Sequence, residues 1–165
     1  TLTWLANIEG VNWFVREILP KIESKVSKVQ FYVIGKYKSI DVFEQRENVH
    51  YHGFVDDLEP FYSNSIVFVC PLLFGSGTKV KLINALYRGI PVVTTSIGAE
   101  NIGLEDGKIG YVTDEPEKFA QDIITLYEND ELWNLMSNAE RRLARDNFTW
   151  DKKIQTIDNL INQMG

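Results

Sequence analysis

Segments typical of buried strands alternate with segments of helical periodicity along the whole of this chain. The strand-like segments are 29–35, 49–53, 66–70, 91–95 and 110–113, and residues 1–4 resemble the tail of a further strand. The helix-like segments are about 8–27, a short stretch after Asp56 and Asp57, a stretch from the residues after Lys79 to Gly89, and 116–129, 131–146 and 150–163. This alternation predicts an α/β fold: one doubly wound, Rossmann-like parallel sheet of about six strands over residues 1–165. Helices are expected on both faces, with a C-terminal helical tail.

Residues that begin, interrupt or end helices support this assignment. Pro20 lies inside the first helix and should kink or divide it, because proline lacks the amide hydrogen of a helical bond. Asp56 or Asp57 is predicted to cap the short helix, and Gly89 is placed to end the helix that precedes it. Ligands of doubly wound sheets bind at the carboxyl ends of the strands, so a site is expected there.

Charge and cysteine content narrow the function classes. A formal net charge of -6 argues against a general nucleic-acid-binding protein, which normally presents a basic face. The single cysteine, Cys70, cannot form an internal disulfide and fits a reducing compartment. No apolar stretch is long enough to span a bilayer. Because residues 1–4 resemble the end of a strand and lack an initiator methionine, we expect this chain to be a piece of a longer one.

A loop bracketed by glycines follows an apolar run and leads into a helix. Residues 71–81 read Pro-Leu-Leu-Phe-Gly-Ser-Gly-Thr-Lys-Val-Lys. A strand, a Gly-x-Gly turn and a helix N-terminus form an anion site, because free amides and the positive end of the helix dipole point into the loop. Gly75 and Gly77 allow close approach to a ligand, and Lys79 and Lys81 add charge. We therefore predict that the loop holds the phosphates of a nucleotide-linked substrate; the alternative is that both lysines are ordinary solvated helix residues.

General motifs leave the identity of that ligand open. The loop has neither the spacing of a P-loop nor that of a dinucleotide-binding fingerprint. On the helix that follows, Lys81, Asn84 and Arg88 lie three and four residues apart, so they share a polar stripe. Asn84 can hydrogen-bond a ribose hydroxyl from this stripe, and a purely solvated stripe is an equal alternative.

The histidines, the cysteine and the possible nucleophiles do not indicate a metal site or a catalytic set. His50 and His52 alternate on a strand and so point to one face, but a metal site needs a third ligand and no further cysteine or histidine lies nearby in the sequence. We therefore expect no metal, and assign His52 a hydrogen-bonding role near the ligand pocket. Cys70 is expected to be inert packing. No Ser-His-Asp or Cys-His set is recognisable, so the catalytic residues are unknown.

Several short motifs, taken in order, resemble a known enzyme family. They are Asn-Ile-Glu-Gly-Val at 7–11, Val-Ile-Gly at 33–35, Gly-Phe-Val-Asp at 53–56, the loop at 71–81, Ala-Leu-x-x-Gly-Ile-Pro-Val-Val at 85–93, Ile-Gly-Ala-Glu at 97–100 and Phe-Thr-Trp at 148–150. Together they resemble the C-terminal, donor-binding half of a retaining glycosyltransferase of group 1 (family 4) with the GT-B fold. The resemblance covers essentially the whole chain, and its most specific part is the block at 85–93.

The resemblance implies a nucleotide-sugar donor (a UDP-, GDP- or ADP-sugar) held between two Rossmann-like domains, without a metal or another cofactor. It assigns the diphosphate and sugar contacts to Gly75, Ser76, Gly77, Thr78 and Lys79, with Lys81 beside them, the ribose contact to Asn84, the base-side contact to Gly53, Phe54 and Val55, and the rim to Gly35 and Lys36. In this family the N-terminal domain supplies the acceptor pocket, and that domain is absent from residues 1–165. This piece is therefore expected to bind donor weakly and to transfer nothing by itself.

Two departures from the family pattern affect the predicted site. The family carries two glutamates eight positions apart around this loop, and here those positions are Ser76 and Asn84. Asparagine can still bond a ribose, but without charge assistance. The family's phosphate-binding lysine in the first helix is Glu9 here. We interpret the lysines at 79 and 81 as a relocated phosphate grip.

Several functions and partners remain open at this stage. The leading hypothesis is a sugar transferase that builds surface or exported glycans, acting on a glycan or lipid-linked acceptor. The alternatives are a nucleotide-sugar epimerase of the same architecture and a non-catalytic nucleotide-binding or assembly domain. The expected partners are the protein's own N-terminal domain, the donor and the acceptor, with no nucleic acid. The expected location is cytoplasmic, with contact to the inner face of the membrane through the missing half as an option. Trp4 and Trp13 are expected to face that missing half.

Overall fold

The computed structural model describes residues 2–149 as an α/β fold with five strands. These are β1 (Phe31–Ile34), β2 (Val49–His52), β3 (Phe68–Cys70), β4 (Val92–Thr94) and β5 (Tyr111–Val112). β1 pairs with β2 in one sheet, while β3, β4 and β5 form a second sheet in that order, and every pair is parallel. The α/β class is confirmed. The single sheet of about six strands is not, because the described residues hold five strands in two sheets.

The start of the chain accounts for part of this difference. Leu2 and Thr3 do not belong to a strand, so the prediction of a strand over residues 1–4 is wrong at these positions. Leu2 makes one ladder-like hydrogen bond, from its amide to the carbonyl of Lys36 at 2.9 Å. A single bond does not make a strand, although it shows that this residue lies beside the end of β1.

Seven α-helices surround the strands within residues 2–149. They are α1 (Leu5–Trp13), α2 (Leu19–Glu23), α3 (Glu59–Ser63), α4 (Val80–Arg88), α5 (Ser96–Ala99), α6 (Pro116–Glu128) and α7 (Asp130–Asn147). The predicted helices at 116–129 and 131–146 are confirmed within one residue at each end. The helix predicted at 150–163 lies outside the described residues.

A π-helical turn over Phe14–Ile18 joins α1 to α2. The amide of Leu19 donates to the carbonyl of Phe14, five residues back. Pro20 follows directly in the first turn of α2, where its missing amide hydrogen removes a normal helical bond. The wider π turn accommodates this change of register, so the predicted division of the helix is confirmed. The helix begins earlier than residue 8 and ends before residue 27.

Helices cover both faces of the three-stranded sheet. Val92 and Val93 are consecutive on β4, and both are fully buried. Since successive side chains of a strand point to opposite faces, they enter different cores. Val93 packs with residues of α1, the π turn, α2 and α6, whereas Val92 packs with residues of α4 and α7. The predicted covering of both faces is therefore confirmed for this sheet.

Helix α7 is fixed to the end of α4 and to β4. Gly89 ends α4 in the left-handed conformation at φ 68°, as the sequence predicts, and its carbonyl accepts from Oγ of Ser137 at 2.6 Å. The side-chain carboxyl group of Glu140 accepts from the amide of Val92 at 2.8 Å through Oε1. Its Oε2 is buried and has no hydrogen-bond partner within residues 2–149, and burial raises the pKa of Glu140 to about 8.

Candidate functional site

The start of α1 connects the carboxyl ends of β1 and β3. The amide of Leu2 bonds the carbonyl of Lys36, which comes shortly after β1. Lys81 lies in α4, beyond the loop that follows β3, and its Nζ donates to Oδ1 of Asn7 at 2.8 Å. Both strand ends therefore lie at one rim, which is where a parallel α/β fold places its ligands.

Gly10 allows α1 to approach the loop after β3. A Cβ at this position would lie 2.3 Å from the carbonyl oxygen of Pro71, a distance that no side chain tolerates. Glu9 comes directly before it at a half-buried position. Residues 10 and 71 are far apart in the chain, so local sequence patterns do not reveal this contact.

The segment from Pro71 to Lys79, called the glycine loop below, leaves β3 and reaches α4. Its residues 73–78 are all exposed. Gly75 and Gly77 have φ values of 122° and 79°, which favour glycine. A Cβ added at either glycine would meet nothing within 4 Å. Side chains of the described residues therefore do not block the turn.

Helix α4 begins at the end of this loop without a side-chain cap. Lys79 is the N-cap residue, and within residues 2–149 its side chain makes no capping hydrogen bond to the first amides of the helix. The carbonyl of Lys79 accepts from the amides of Leu82 and Ile83 at 2.9 and 3.2 Å. Amides ahead of these are orphan donors at the positive end of the helix dipole. They can bind an anion placed in the open turn.

Both lysines of the predicted phosphate grip are tethered to the rim. The side chain of Lys79 is only 10% exposed. Its ammonium group donates to the carbonyl of Gly77 and lies 3.5 Å from Oε2 of Glu100. Lys81 is exposed and bonds Asn7. Glu100 and Asn7 belong to the motifs of the sequence analysis but received no role there, because only the folded chain brings them to these lysines.

Two threonines at the end of β4 anchor the glycine loop at its base. Oγ1 of Thr94 donates to the carbonyl of Cys70 at 2.9 Å, and Oγ1 of Thr95 donates to the carbonyl of Leu72 at 2.5 Å. The Thr95 hydroxyl also accepts from the amide of Gly98 at 3.1 Å and so caps α5. The ends of β3 and β4 are thereby joined by hydrogen bonds from buried hydroxyls.

The polar stripe on α4 is only partly available to a ligand. Arg88 pairs with Glu59 at 2.9 Å, and its guanidinium lies 4.4 Å from the centre of the Tyr62 ring. This arginine therefore serves packing between α3 and α4. Asn84, the predicted ribose contact, is exposed on the same helix, and its assignment stays a prediction.

The predicted base-side turn and rim lie at the ends of β1 and β2. The amide of Gly35 donates to the carbonyls of His52 and Gly53 at 3.1 and 3.2 Å, so the two strand ends stay together. Phe54 is 76% exposed, and Val55 is half-buried. An exposed aromatic ring beside a strand end offers a surface on which a base can stack.

The two histidines share a face of β2, as predicted, but they pack against aromatic rings. Tyr32 stacks on His50 and His52 with ring centres 4.9 and 5.9 Å apart, and His52 meets the edge of Phe61 at 5.1 Å. His50 also pairs with Gln30 at 2.6 Å. Within residues 2–149, no group of three or more His, Cys, Asp and Glu residues could hold a metal ion.

The remaining sequence predictions concern structural roles. Asp57 accepts from the amide of Glu59 at 2.9 Å, although the residue that precedes α3 is Leu58, which caps nothing with its side chain. Cys70 is fully buried, and desolvation raises the pKa of its thiol, which fits inert packing. Trp4 is largely exposed.

Fold and loop together define a class: a Rossmann-like α/β domain with an open glycine loop at the carboxyl ends of its strands. Within that class the chain belongs to the group 1 glycosyl transferases, because the family described as "Glycosyl transferases group 1" matches residues 1–129. The resemblance drawn from the motifs is thereby confirmed. The match favours a transferase over the epimerase alternative.

Individual relatives and solved structures also match this chain. An "uncharacterized 44.6 kDa protein in cps region" of Klebsiella pneumoniae is 25% identical over 133 residues, covering 74% of this chain and 34% of that protein. TarM of S. aureus matches with a TM-score of 0.75 at 20% identity, over 92% of this chain and 33% of TarM. HepE of Anabaena in complex with UDP-glucose matches with a TM-score of 0.73 at 16% identity, over 88% of this chain and 44% of HepE.

The fold of the chain and the share of its relatives that it spans also follow from these matches. The structural matches establish the fold, which is that of GT-B glycosyltransferase domains. The chain spans about a third of the length of the curated relatives that match most of it. No helix within the described part is long and apolar enough to cross a membrane.

Proposed function

We propose that residues 1–165 form the C-terminal, donor-binding domain of a retaining glycosyltransferase. The full-length protein moves a sugar, a hexose or a related unit, from a nucleotide-sugar to a glycan or lipid-linked acceptor. The observation that carries the proposal is the glycine loop: an open Gly-x-Gly turn that leads into an uncapped helix, with Lys79 and Lys81 beside it. Membership of the family supports it.

In the proposed complex the glycine loop binds the diphosphate of the donor. The backbone of Gly75, Ser76, Gly77 and Thr78 approaches the phosphate oxygens, and the amides at the start of α4 donate to them. Lys79 is placed to release its ammonium group from the carbonyl of Gly77 and to turn it to a phosphate. During transfer the bond between the anomeric carbon and the diphosphate breaks, and this site then stabilises the negative charge on the leaving group.

The other donor contacts are proposed at the same rim. Asn84, which lies in α4, hydrogen-bonds the ribose. Gly53, Phe54 and Val55 contact the base, and Gly35 and Lys36 form the rim of the site. HepE, a structural neighbour, was solved with UDP-glucose, so UDP is the first nucleotide to test. No role is proposed for a metal.

Transfer requires a second domain, in this proposal the N-terminal half of the full-length protein. Retention at the anomeric carbon needs donor and acceptor hydroxyl held together in one closed cleft. Within residues 2–149 the glycine loop opens outward, so this domain is expected to bind donor and to transfer nothing alone. The proposed setting is the cytoplasmic side of the cell, where nucleotide-sugars serve glycan assembly.

Calorimetry on the full-length protein with UDP, GDP and ADP tests this function. One nucleotide is expected to bind, and Lys79→Ala is expected to weaken it by about 10-fold or more, because a charge-assisted bond contributes about 1.5–3 kcal/mol. Lys108→Ala is the matched control, since Lys108 is exposed, pairs with Glu105 at 3.4 Å and precedes β5 at the opposite edge of the sheet. Absence of binding by all three nucleotides would favour a non-catalytic assembly domain, for which Glu9, Ser76 and Asn84 are marks of decay.

A further inference from the structure

The carboxylate of Glu100 approaches the glycine loop from another part of the chain. Residues 71–81 contain no acidic side chain, but Oε2 of Glu100 lies 3.5 Å from the ammonium group of Lys79. That ammonium group donates to the carbonyl of Gly77, so a single ammonium group separates the carboxylate from the open turn. The Glu100 side chain is 42% exposed, and within residues 2–149 it forms no hydrogen bond or ion pair except the one with Lys79. It therefore has unused acceptor sites beside the loop.

Helix α5 fixes Glu100 in this position. The helix lies against the end of β3, because a Cβ at Gly98 would be 2.8 Å from the last carbonyl oxygen of that strand. The carboxylate of Asp114 holds the start of α5 by accepting from the amide and the hydroxyl of Ser96 at 2.9 and 2.7 Å. Asn101 follows Glu100 with φ 60°, a left-handed conformation that asparagine adopts more readily than most residues. The backbone is thus specified on both sides of Glu100.

The order of the strands indicates which part of a bound donor meets Glu100. The proposed base contacts follow β2, the glycine loop follows β3, and Glu100 follows β4, the neighbour of β3 in its sheet. In a nucleotide-sugar the base, the ribose, the diphosphate and the sugar follow one another. With the base at the end of β2 and the diphosphate in the glycine loop, the sugar lies on the β4 side, next to Glu100.

A carboxylate at this point favours some chemical groups and disfavours others. It repels phosphate oxygens, which carry the same charge, and it accepts strong hydrogen bonds from hydroxyl groups, which are abundant on a sugar. The ammonium group of Lys79 has three donor hydrogens. It can therefore bind a phosphate and Glu100 at the same time, and so keep the carboxylate directed to the bound donor.

We propose that Glu100 is a specificity-determining residue that selects donors with an uncharged sugar. Its carboxylate accepts a hydrogen bond from a sugar hydroxyl and repels a sugar that carries a carboxylate of its own. Repulsion between two unit charges about 6 Å apart in a partly exposed site weakens binding by about 10-fold or more. This inference deepens the proposed function and rests on it, because the sugar lies beside Glu100 only when the glycine loop holds the diphosphate.

Calorimetry on the full-length protein with UDP-glucose and UDP-glucuronate tests this role. The two sugars differ only at C6, where glucuronate has a carboxylate in place of the hydroxymethyl group. The wild type is expected to bind UDP-glucose about 10-fold or more tightly than UDP-glucuronate, and Glu100→Gln should remove most of this preference. Equal binding of the two donors by the wild type, or an unchanged preference in the variant, would overturn the proposal.

Two further variants complete the comparison. Glu105→Gln is the matched control, because Glu105 is exposed and pairs with Lys108 before β5, and it should keep the wild-type preference. Glu100→Lys should invert the preference, since it places a positive charge beside the sugar, and an uninverted preference would contradict a contact with the sugar. Loss of a partly exposed ion pair costs little stability, so both Glu100 variants should fold with a Tm close to that of the wild type.

Binding of UDP alone separates this inference from the proposed function. Glu100→Gln should bind UDP at least as tightly as the wild type, because the variant removes a negative charge near the diphosphate. Weaker binding of UDP would show that Glu100 acts through Lys79 and would overturn the contact with the sugar. If the wild type binds UDP without a preference between the two sugars, this inference alone fails. If the wild type binds none of UDP, GDP and ADP, the proposed function fails with it.

Discussion

Glu140→Gln is expected to remove a pH dependence of folding that this single carboxyl group produces. Glu140 is fully buried in α7. The only hydrogen bond to its carboxyl group among the described residues comes from the amide of Val92, and its Oε2 has no partner there. Desolvation dominates this environment and raises the pKa of the carboxyl group from 4.5 to about 8. Glutamine keeps the acceptor for Val92 and cannot ionise.

The direction in which the free energy of unfolding changes with pH depends on whether the folded or the unfolded protein holds the proton. Between pH 4.5 and pH 8 the folded protein keeps a proton on Glu140 that the unfolded chain has released. The stabilising contribution of this proton is complete below pH 4.5 and is lost as the pH rises towards 8. The free energy of unfolding falls by about 1.4 kcal/mol per pH unit in this window. From pH 5 to pH 8 the wild type should therefore lose about 3 kcal/mol relative to Glu140→Gln.

Urea denaturation at several pH values between 5 and 8 measures this difference. The comparison includes Glu47→Gln as a control, because Glu47 is exposed in the loop before β2. The stability curve of Glu140→Gln should diverge from that of the wild type as the pH rises, whereas the control should run parallel to the wild type. Parallel curves for Glu140→Gln as well would refute the account of a buried, protonated carboxyl group.

Three further predictions concern the base of the glycine loop. Gly98→Ala should lower Tm by many degrees, because a Cβ would lie 2.0 Å from Oγ1 of Thr94 and 2.8 Å from the carbonyl of Cys70; an unchanged Tm would contradict this packing. Thr95→Val should cost about 1–3 kcal/mol of unfolding free energy, since it leaves the buried carbonyl of Leu72 without its donor, and Thr95→Ser should restore most of the loss in the same denaturation assay. The Cys70 thiol should resist a water-soluble thiol reagent until the protein unfolds; rapid labelling of the native protein would show that β3 is open to solvent.

Local features of the sequence predicted local features of the structure. Gly89 ends α4 because glycine adopts the left-handed conformation without strain. Pro20 follows the interruption between α1 and α2 because proline lacks the amide hydrogen of a helical bond. The glycine loop was recognised for the same reason. These are properties of neighbouring residues, and spacing along the chain is sufficient to detect them.

Contacts between distant residues were not predictable in this way. Lys81 bonds Asn7 across 74 positions, Gly10 packs on Pro71, and Lys79 lies near Glu100. The burial of Glu140 was equally hidden, because a glutamate on a polar helix is normally exposed. The sheet was predicted as one unit because alternation indicates parallel strands, but it does not say which strands are neighbours.

NMR titration of the ¹⁵N-labelled full-length protein tests the central claim most directly, by comparing UDP with uridine. If the loop after β3 grips a diphosphate, the amide signals of Gly75, Gly77 and Thr78 should shift with UDP and stay unchanged with uridine, which has no phosphate groups. Signals of those three amides that stay fixed while UDP shifts others elsewhere in the protein would contradict the account.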